Sequence, residues 1–451
     1  MQISSDGSSA KRVKVVSLCF MGLAHLLYLK QYIKGALFAI IELLFIAGIP
    51  PIVIKLRDLI TLGSPLSPEV LAELPRKVAN EMIRKNNSMF MLIDGILVLA
   101  VIAIFVALYV ISVQSAKKAY IEYCRTKRFV SQKASMTELG NKAFPLTGLA
   151  PCVVMLLIFV VVPLVFSVAV AFTNYSAPDH IPPNKMVDWV GLKNFNDLLL
   201  SGTSWSTGFA RIAIWTLIWA VFSTFTCYFG GLLVAVSLND SGIRIAPVFR
   251  FIFILPYAVP SVITMILWRN MLNGTFGIIN RTLQTLGLMG NENIINWLTE
   301  PTLAKVMCIV VNLWCGFGYF MMLSMGTMTS ISQDMFEAAK IDGANAPQVF
   351  RYITMPLVLY QTMPLIIMSF THNINNFGSI FFLTGGGPQV SGSTETMAGA
   401  TDILVTWIYN LTITLMKYHY ASVIAVLIFI VLAPFSIYQF SKTKAYKEGE
   451  V

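Results

Sequence analysis

Residues 337–364, EAAKIDGANAPQVFRYITMPLVLYQTMP, form a patterned polar segment inside a very apolar half of the chain. The two alanines after Glu337 are strong helix formers with little bulk, so the segment predicts a short helix over residues 333–344. Gly343 lies where this helix needs a left-handed residue to end, and Pro347 suits the first turn of a second helix. The sequence therefore predicts a helix–turn–helix loop between two membrane spans.

The composition is that of a polytopic membrane protein. The chain has 451 residues, of which 56 % are hydrophobic and 12 % are charged, and its mean hydropathy is +0.71. Soluble domains carry about twice that share of charged residues. A bilayer-spanning helix needs about 20 predominantly apolar residues. The segments that meet this condition are 35–54, 89–112, 147–173, 211–238, 248–271, 303–325, 357–382 and 419–440.

The net charge of +10 indicates membrane orientation rather than nucleic-acid binding, because the basic residues gather beside apolar spans. Basic clusters at 117–133 and 442–447 are predicted to be cytoplasmic, as is the N-terminus. Eight spans then place residues 326–356 in the cytoplasm as well. Residues 55–88 are predicted to be outside despite their mixed charge, with an amphipathic helix beginning near Ser67. Alternatively, residues 15–29 also span the membrane and the N-terminus is outside.

Several classes of site are not supported by any motif. The six cysteines form no CxxC pair, the four histidines form no HExxH, and no GxxxxGK[ST] occurs. We therefore predict no disulfide framework, no metal site, no catalytic site and no ATP hydrolysis by this chain itself. Glu42 and Asp94 lie inside apolar spans, where a charge is costly, so both are expected to face protein.

Three spans carry polar side chains near mid-bilayer at helical spacing, which indicates a binding site or interhelical contacts. Amides and hydroxyls close to aromatic rings suit a neutral sugar, whereas a charged substrate would require Arg or Lys. The aromatic candidates are Trp314, Tyr319 and Phe377. The polar groups are Asn312 with Gly316 and Tyr319, Asn373 with Asn376 and His372, and Tyr257 with Ser261.

The motifs that occur in order are FTNY (172–175), WVGLKNF (189–195), LPYAVPS (255–261), NLWCGFGY (312–319), NINNFGSIFFLTGGGP (373–388) and TDILVTWIYNLT (401–412). Together with the EAA segment, they resemble the larger membrane subunit of bacterial maltose/maltodextrin ABC importers over residues 147–440. The EAA segment is similar to the coupling loop with which that family contacts its ATPase.

The resemblance implies an all-α polytopic membrane protein with the type I ABC importer transmembrane fold and about eight transmembrane helices. The implied domains are an N-terminal cytoplasmic or interfacial segment (1–34), two additional helices (35–146), a six-helix permease core (147–440) with its coupling loop (330–356), and a basic cytoplasmic tail (441–451). The implied location is the bacterial cell membrane, with both termini in the cytoplasm.

The resemblance also implies the function and the partners. The chain would be the pore-forming permease of a maltodextrin importer, with a second homologous permease, two ATPase subunits that carry ATP and Mg, and an extracellular solute-binding protein. No cofactor belongs to the chain itself. The sugar-binding positions that match are Tyr257, Ser261, Asn312, Cys315, Gly316, Tyr319, His372, Asn373 and Asn376. The ATPase-coupling positions that match are Glu337, Ala338, Ala339, Asp342 and Gly343.

Two positions depart from that family's pattern, and other functions stay open. Cys315 stands where the family has leucine, and His372 stands where it has phenylalanine, which puts sugar stacking at residue 372 in doubt. Another neutral oligosaccharide, such as a galacto-oligosaccharide, is the alternative substrate. A secondary carrier would need intramembrane carboxylates in the core, and a membrane enzyme would need a nucleophile–base pair or a metal site.

Overall fold

The computed structural model describes residues 7–63, 75–126, 129, 144–182, 186–239, 245–290 and 292–442, and these are mostly helical. They divide into two compact units, Met1–Val190 and Gly191–Val451. In the first unit the helices are α1 (Gly7–Cys19), α2 (Leu23–Leu27), α3 (Tyr32–Ala47), α4 (Ile49–Thr61), α5 (Arg76–Lys85), α6 (Ser88–Thr126), α7 (Phe144–Leu156) and, after a π-helical turn, α8 (Val162–Ala171).

In the second unit the helices are α9 (Lys193–Leu199), α10 (Ser204–Asn239), α11 (Ala246–Ala258), α12 (Ser261–Met271), α13 (Ile278–Thr285), α14 (Pro301–Met328), α15 (Gln333–Ile341), α16 (Ala346–Val349), α17 (Met355–Ile374), α18 (Phe377–Thr384), α19 (Leu404–Tyr409) and α20 (Tyr418–Lys442). Two further π-helical turns, Phe350–Thr354 and Asn410–Thr414, connect α16 to α17 and extend α19.

The number of membrane spans agrees with the sequence. Six helices in the described part of the chain are long and apolar enough to cross a bilayer. Two bent pairs, α3 with α4 and α11 with α12, bring the number to eight if each pair is one span. Two predicted spans differ in detail: 248–271 breaks between α11 and α12, and 357–382 ends early because α17 stops at Ile374.

Some sequence predictions concern residues outside the described ranges. These are the helix start near Ser67, much of the basic cluster at 117–133, and the tail after residue 442. A short helix does occur in the predicted outer segment 55–88, but it begins at Arg76. The domain boundaries at 34, 146 and 440 and the cytoplasmic placement of the termini stay predictions.

The N-terminal segment is broken into two short helices. Residues 15–29 are divided between α1 and α2, and both helices are shorter than the roughly 20 residues that a span needs. The chain turns at Gly22, whose φ is +86° and whose missing side chain allows close approach to the backbone of Gly35. Of the two alternatives for residues 15–29, the structure favours a segment that packs on α3 and α6.

Both carboxylates in the first two spans have protein partners, as expected. Glu42 is buried, and its carboxylate accepts a hydrogen bond from the backbone N–H of Met21 at the turn after α1. Glu42 lies ten residues into α3, which corresponds to about 15 Å along the helix. Asp94 pairs with Lys55 at 2.5 Å, which reduces the cost of placing a charge within an apolar span.

The second unit is built around α10, the longest helix in it. Gly231 brings α10 against the backbone of α14, since a Cβ there would lie 2.5 Å from the carbonyl oxygen of Phe317. Gly318 gives the same close approach between α14 and α11, at the carbonyl oxygen of Phe253. Tyr228 extends the contact to α17, where its hydroxyl lies 3.0 Å from the hydroxyl of Thr362. These contacts fix the helices that carry the polar residues of the span interior.

A folded loop between α18 and α19 is held by a buried carboxylate. Asp402 is 1 % exposed and accepts hydrogen bonds from the backbone N–H of Gly399 at 2.8 Å and from the hydroxyl of Thr406 at 2.7 Å. Gly386 packs directly against this carboxylate and has a φ of +84°. Burial raises the pKa of Asp402 to about 6, because desolvation outweighs the two hydrogen bonds and the attraction of Arg211.

This raised pKa predicts a pH-dependent stability. The folded protein holds the proton on Asp402 more tightly than the unfolded chain does. The stability that protonated Asp402 adds is therefore complete below about pH 4 and is lost as the pH rises through about 6. We expect the wild-type protein to lose on the order of a few kcal/mol of its free energy of unfolding between pH 4 and pH 7 because of Asp402. The Asp402→Asn variant should not show this loss. The measurement is the thermal midpoint of the purified protein across this range.

The matched control is Glu395→Gln, which neutralises an exposed carboxylate in the same loop. The control should keep the wild-type pH profile. Parallel profiles for Asp402→Asn and wild type would contradict a role of Asp402 in this pH dependence.

Candidate functional site

The centre of the second unit contains a broken helix. The chain bends by 92° between α11 and α12, where Val259 is extended and Pro260 precedes the first residue of α12. Proline disfavours helical geometry at the residue before it, which explains why the helix stops at this point. Tyr257 and Ser261 flank the break, so the sequence spacing of four residues does not describe one continuous helix face.

Two further segments face this break. The middle of α14 carries one group of predicted site residues, and the junction between α17 and α18 carries the other. All nine predicted residues line a single cavity of about 730 Å³, a size within the range of ligand-binding pockets. They are Tyr257, Ser261, Asn312, Cys315, Gly316, Tyr319, His372, Asn373 and Asn376.

The asparagines at the α17–α18 junction also have structural roles. Asn376 is the N-cap of α18, and its Oδ1 accepts a hydrogen bond from the N–H of Ser379 at 3.3 Å. Asn373 is 5 % exposed; its Nδ2 donates to the hydroxyl of Thr224 at 3.0 Å and its carbonyl oxygen accepts from the Trp219 indole at 3.1 Å. These hydrogen bonds give both amides a role in holding helices together, and their contact with a ligand stays a prediction.

The aromatic residues around the cavity are not all those expected. Tyr257 and Tyr319 lie side by side with ring centroids 5.3 Å apart, and both line the cavity. Trp314 instead packs edge-on against Trp268, and Phe377 stacks on Phe381 at 4.6 Å. Trp314 and Phe377 are not among the residues that line the cavity, so their contact with a ligand stays a prediction.

The two residues that depart from the family pattern both lie in the cavity wall. His372 is exposed there, so its imidazole is available to a ligand, and Cys315 is partly buried. Gly316 has a packing role as well, because a Cβ at this position would lie 2.8 Å from the sulfur of Cys227 on α10. The absence of a side chain at Gly316 therefore allows α10 and α14 to approach at the site.

Sequence reasoning missed several lining residues. Ser369 and Ser379 lie at helical spacing from His372 and Asn376, and Thr264 follows Ser261 by three residues, so the local pattern was sufficient to find these three. Cys227 lies on α10, which carried no polar pattern that pointed to the site. None of the described residues that line the cavity is Asp, Glu, Lys or Arg.

The EAA segment folds as predicted. Helix α15 ends before Gly343, whose φ of +76° provides the left-handed stop. Asn345 caps α16 through a reciprocal pair of hydrogen bonds with Gln348, at 2.8 and 3.0 Å. Pro347 lies in the first turn of α16, as expected.

One side of this loop is anchored and the other is free. Phe336 and Phe350 pack against the hydrophobic core of the second unit, and Ala339 is 9 % exposed. Ala339 therefore contributes to this anchoring, and its side chain offers little surface to a partner. The exposed members of the predicted coupling set are Glu337, Ala338, Asp342 and Gly343.

Comparison with known proteins places the chain in a family. Residues 227–442 match the model of the "binding-protein-dependent transport system inner membrane component" family. The galactooligosaccharides transport system permease protein GanP of Bacillus subtilis is 33 % identical over 421 residues, which cover 93 % of this chain and 95 % of that protein. The maltodextrin transport system permease protein MdxF of the same organism is 35 % identical over 374 residues, which cover 81 % of this chain and 84 % of MdxF.

A solved structure shares the fold. The alginate ABC transporter, crystallised with its alginate pentasaccharide-bound periplasmic protein, contains a chain with a TM-score of 0.55 and 21 % sequence identity. The match covers 69 % of this chain and 98 % of that chain. The fold is thus the type I ABC importer fold, and the chain belongs to the binding-protein-dependent transport system inner membrane components, the permease subunits of ABC importers.

Proposed function

We propose that this chain is the permease subunit of an importer for neutral oligosaccharides, with maltodextrins as the leading substrate class. The observation that carries the proposal is the uncharged cavity of about 730 Å³ inside the second unit. It combines amides, hydroxyls and two adjacent tyrosine rings. Amides hydrogen-bond sugar hydroxyls, and aromatic faces contact the CH groups of a pyranose ring.

The absence of charge in the described cavity lining argues against an acidic glycan. A uronate ligand would bring one carboxylate per sugar unit into a desolvated space, where an unpaired charge is costly. Such a ligand calls for Arg or Lys, and the nearest polar groups here are neutral. The similarity to an alginate transporter therefore supports the fold and does not extend to the ligand.

Galacto-oligosaccharides are a second candidate substrate. The relative GanP matches nearly the whole chain at an identity close to that of MdxF. His372 adds a hydrogen-bonding side chain to the wall of the cavity, which suits hydroxyl recognition as well as it suits stacking. The same cavity chemistry fits either glycan class, and ATPase stimulation by each class distinguishes the two substrates.

The transport cycle would be driven by partner subunits. The exposed side of α15 and its turn provides two carboxylates, Glu337 and Asp342, next to backbone that a partner can approach closely at Gly343. This surface suits a cleft of an ATPase subunit with cationic side chains. The assembly would comprise a second homologous permease, two ATPase subunits and an extracellular solute-binding protein, with ATP and Mg on the ATPase subunits.

The function is tested with the purified complex in nanodiscs together with its binding protein. We expect the ATPase rate to rise with malto-oligosaccharides or galacto-oligosaccharides and to be unaffected by oligouronates. Uptake into cells should stop when ATP is depleted while ion gradients persist, whereas a secondary carrier would continue. Stimulation by oligouronates alone, or uptake driven by an ion gradient, would overturn the proposal.

Substitutions in the coupling loop should separate ATP hydrolysis from transport. Glu337→Ala removes an exposed carboxylate from the docking surface, and Gly343→Pro removes the positive φ that ends α15. We expect both variants to lose uptake at normal membrane abundance while sugar binding is retained. Lys340→Ala, an exposed change on the same helix outside the proposed set, serves as the control; equal losses in all three variants would contradict specific docking.

Asn376 allows its two roles to be separated. Asn376→Leu removes both the cap of α18, which costs about 1 kcal/mol, and a hydrogen bond to a desolvated sugar hydroxyl, which costs about 1–3 kcal/mol. Asn376→Ser keeps an N-cap oxygen but is too short to reach the ligand in the same way. We expect both variants to lose uptake and only the leucine variant to lose thermal stability. If Asn376→Ser transports normally, Asn376 acts as a cap and not as a ligand contact.

A further inference from the structure

The hydrogen bonds around the side-chain amides of the cavity decide whether the nitrogen or the oxygen of each amide faces a ligand. The nitrogen and oxygen of an asparagine side chain are nearly the same size, so the groups around them decide which one faces the ligand. A backbone N–H can only donate, and a backbone carbonyl can only accept. A chain of hydrogen bonds that begins at such a backbone group therefore fixes the orientation of every side-chain amide along it.

On one wall of the cavity this chain begins at the backbone of α18. The N–H of Ser379 donates to Asn376 Oδ1, so the Nδ2 of Asn376 faces the other way and donates to Asn373 Oδ1 at 3.5 Å. The Nδ2 of Asn373 then donates to Thr224 Oγ1 at 3.0 Å. Asn376 Oδ1 and Asn373 Oδ1 thus each accept a hydrogen bond within the protein, and the second N–H of Asn376 is left for a ligand.

On the wall of the cavity that α14 forms, the chain of hydrogen bonds begins at a backbone carbonyl of α14. The thiol of Cys227 lies 3.4 Å from the backbone carbonyl oxygen of Asn312, and since that oxygen can only accept, the thiol proton points to it. The sulfur then presents its lone pairs to the Asn312 side chain, whose Nδ2 lies 3.5 Å away. With the amide reversed, Oδ1 would compete with the backbone oxygen for the single thiol proton, and one of the two oxygens would face the sulfur lone pairs.

We propose that Cys227 is a positioning residue for the substrate site, and that it turns the amide of Asn312 so that Oδ1 faces the cavity as a hydrogen-bond acceptor. Within the described residues, no protein donor reaches this oxygen, so it is available to a sugar hydroxyl. Gly316, one turn further along α14, supports the arrangement because its missing side chain leaves the space that the Cys227 sulfur occupies.

The consequence is a site with two unlike walls. α14 presents an acceptor at Asn312, and the α17–α18 junction presents the remaining N–H donor of Asn376. A sugar hydroxyl that donates to Asn312 and a hydroxyl or ring oxygen that accepts from Asn376 can be satisfied at the same time. This inference rests on the proposed function, since it specifies how that cavity would read a neutral sugar.

The test uses the assembled complex with its binding protein and measures the malto-oligosaccharide or galacto-oligosaccharide concentration that half-saturates ATPase stimulation. Cys227→Ala removes the group that orients Asn312, so we expect this concentration to rise about three- to tenfold, the factor that one hydrogen bond represents. The maximal rate should stay unchanged. Cys227→Ser keeps both a donor and an acceptor at the position and should stay close to wild type.

The control for packing is Cys308→Ala, which truncates another buried cysteine at the core of the same unit without a bond to Asn312. It should leave the half-saturating concentration unchanged. A second readout combines Cys227→Ala with Asn312→Ala: if Cys227 acts through Asn312, the two losses are not additive and the double variant resembles Asn312→Ala alone.

The outcomes separate the two proposals. If wild type responds to neutral oligosaccharides but Cys227→Ala behaves like wild type, or like Cys308→Ala, the positioning role is overturned and the proposed function stands. Additive losses in the double variant also overturn the positioning role. If no neutral oligosaccharide stimulates the wild-type complex, the proposed function fails and this inference fails with it.

Discussion

The close approach of α10 to α14 is the constraint on which the rest of the second unit depends. Gly231 and Gly316 leave no side chain at the two points where the helices meet. A backbone oxygen occupies the first space and the Cys227 sulfur occupies the second. Packing in a membrane gains little from the hydrophobic effect, so small residues that allow dense contacts and hydrogen bonds between helices stabilise the pair.

The same contact determines the chemistry of the cavity. Because α10 lies so close to α14 and α17, its side chains reach the amides that face the cavity from behind. Thr224 and Cys227 lie less than one turn apart on α10, and each meets a different wall. α10, which carries no predicted ligand contact, thus hydrogen-bonds amides in both groups of cavity residues.

The cavity and the EAA segment are joined by the same helices. α14 carries Asn312 near its middle and leads, after a short turn, into α15 with its exposed carboxylates. From the loop the chain returns through α16 and a π-helical turn into α17, which ends at the amides of the opposite wall. Phe336 and Phe350 tie the loop to the core beneath it. The EAA segment is therefore joined to both groups of cavity residues through α14 and α17, and it is anchored to the core of the second unit.

The sequence by itself determined the spans, the helix–turn–helix form of the EAA segment and several of the polar residues that line the cavity at helical spacing, among them Asn312, Asn373 and Asn376. These features depend on local properties: apolar length, the left-handed stop at Gly343, and the spacing of polar residues along a helix. Only the tertiary structure decided that α11 and α12 are bent by 92°, that Trp314 and Phe377 lie away from the cavity, and that Cys227 faces Asn312. Spacing along one helix shows which residues share a face, but the hydrogen-bond donors and acceptors that meet this face come from other helices. Their positions follow from how closely the backbones pack, and a single sequence does not contain that distance in any local pattern.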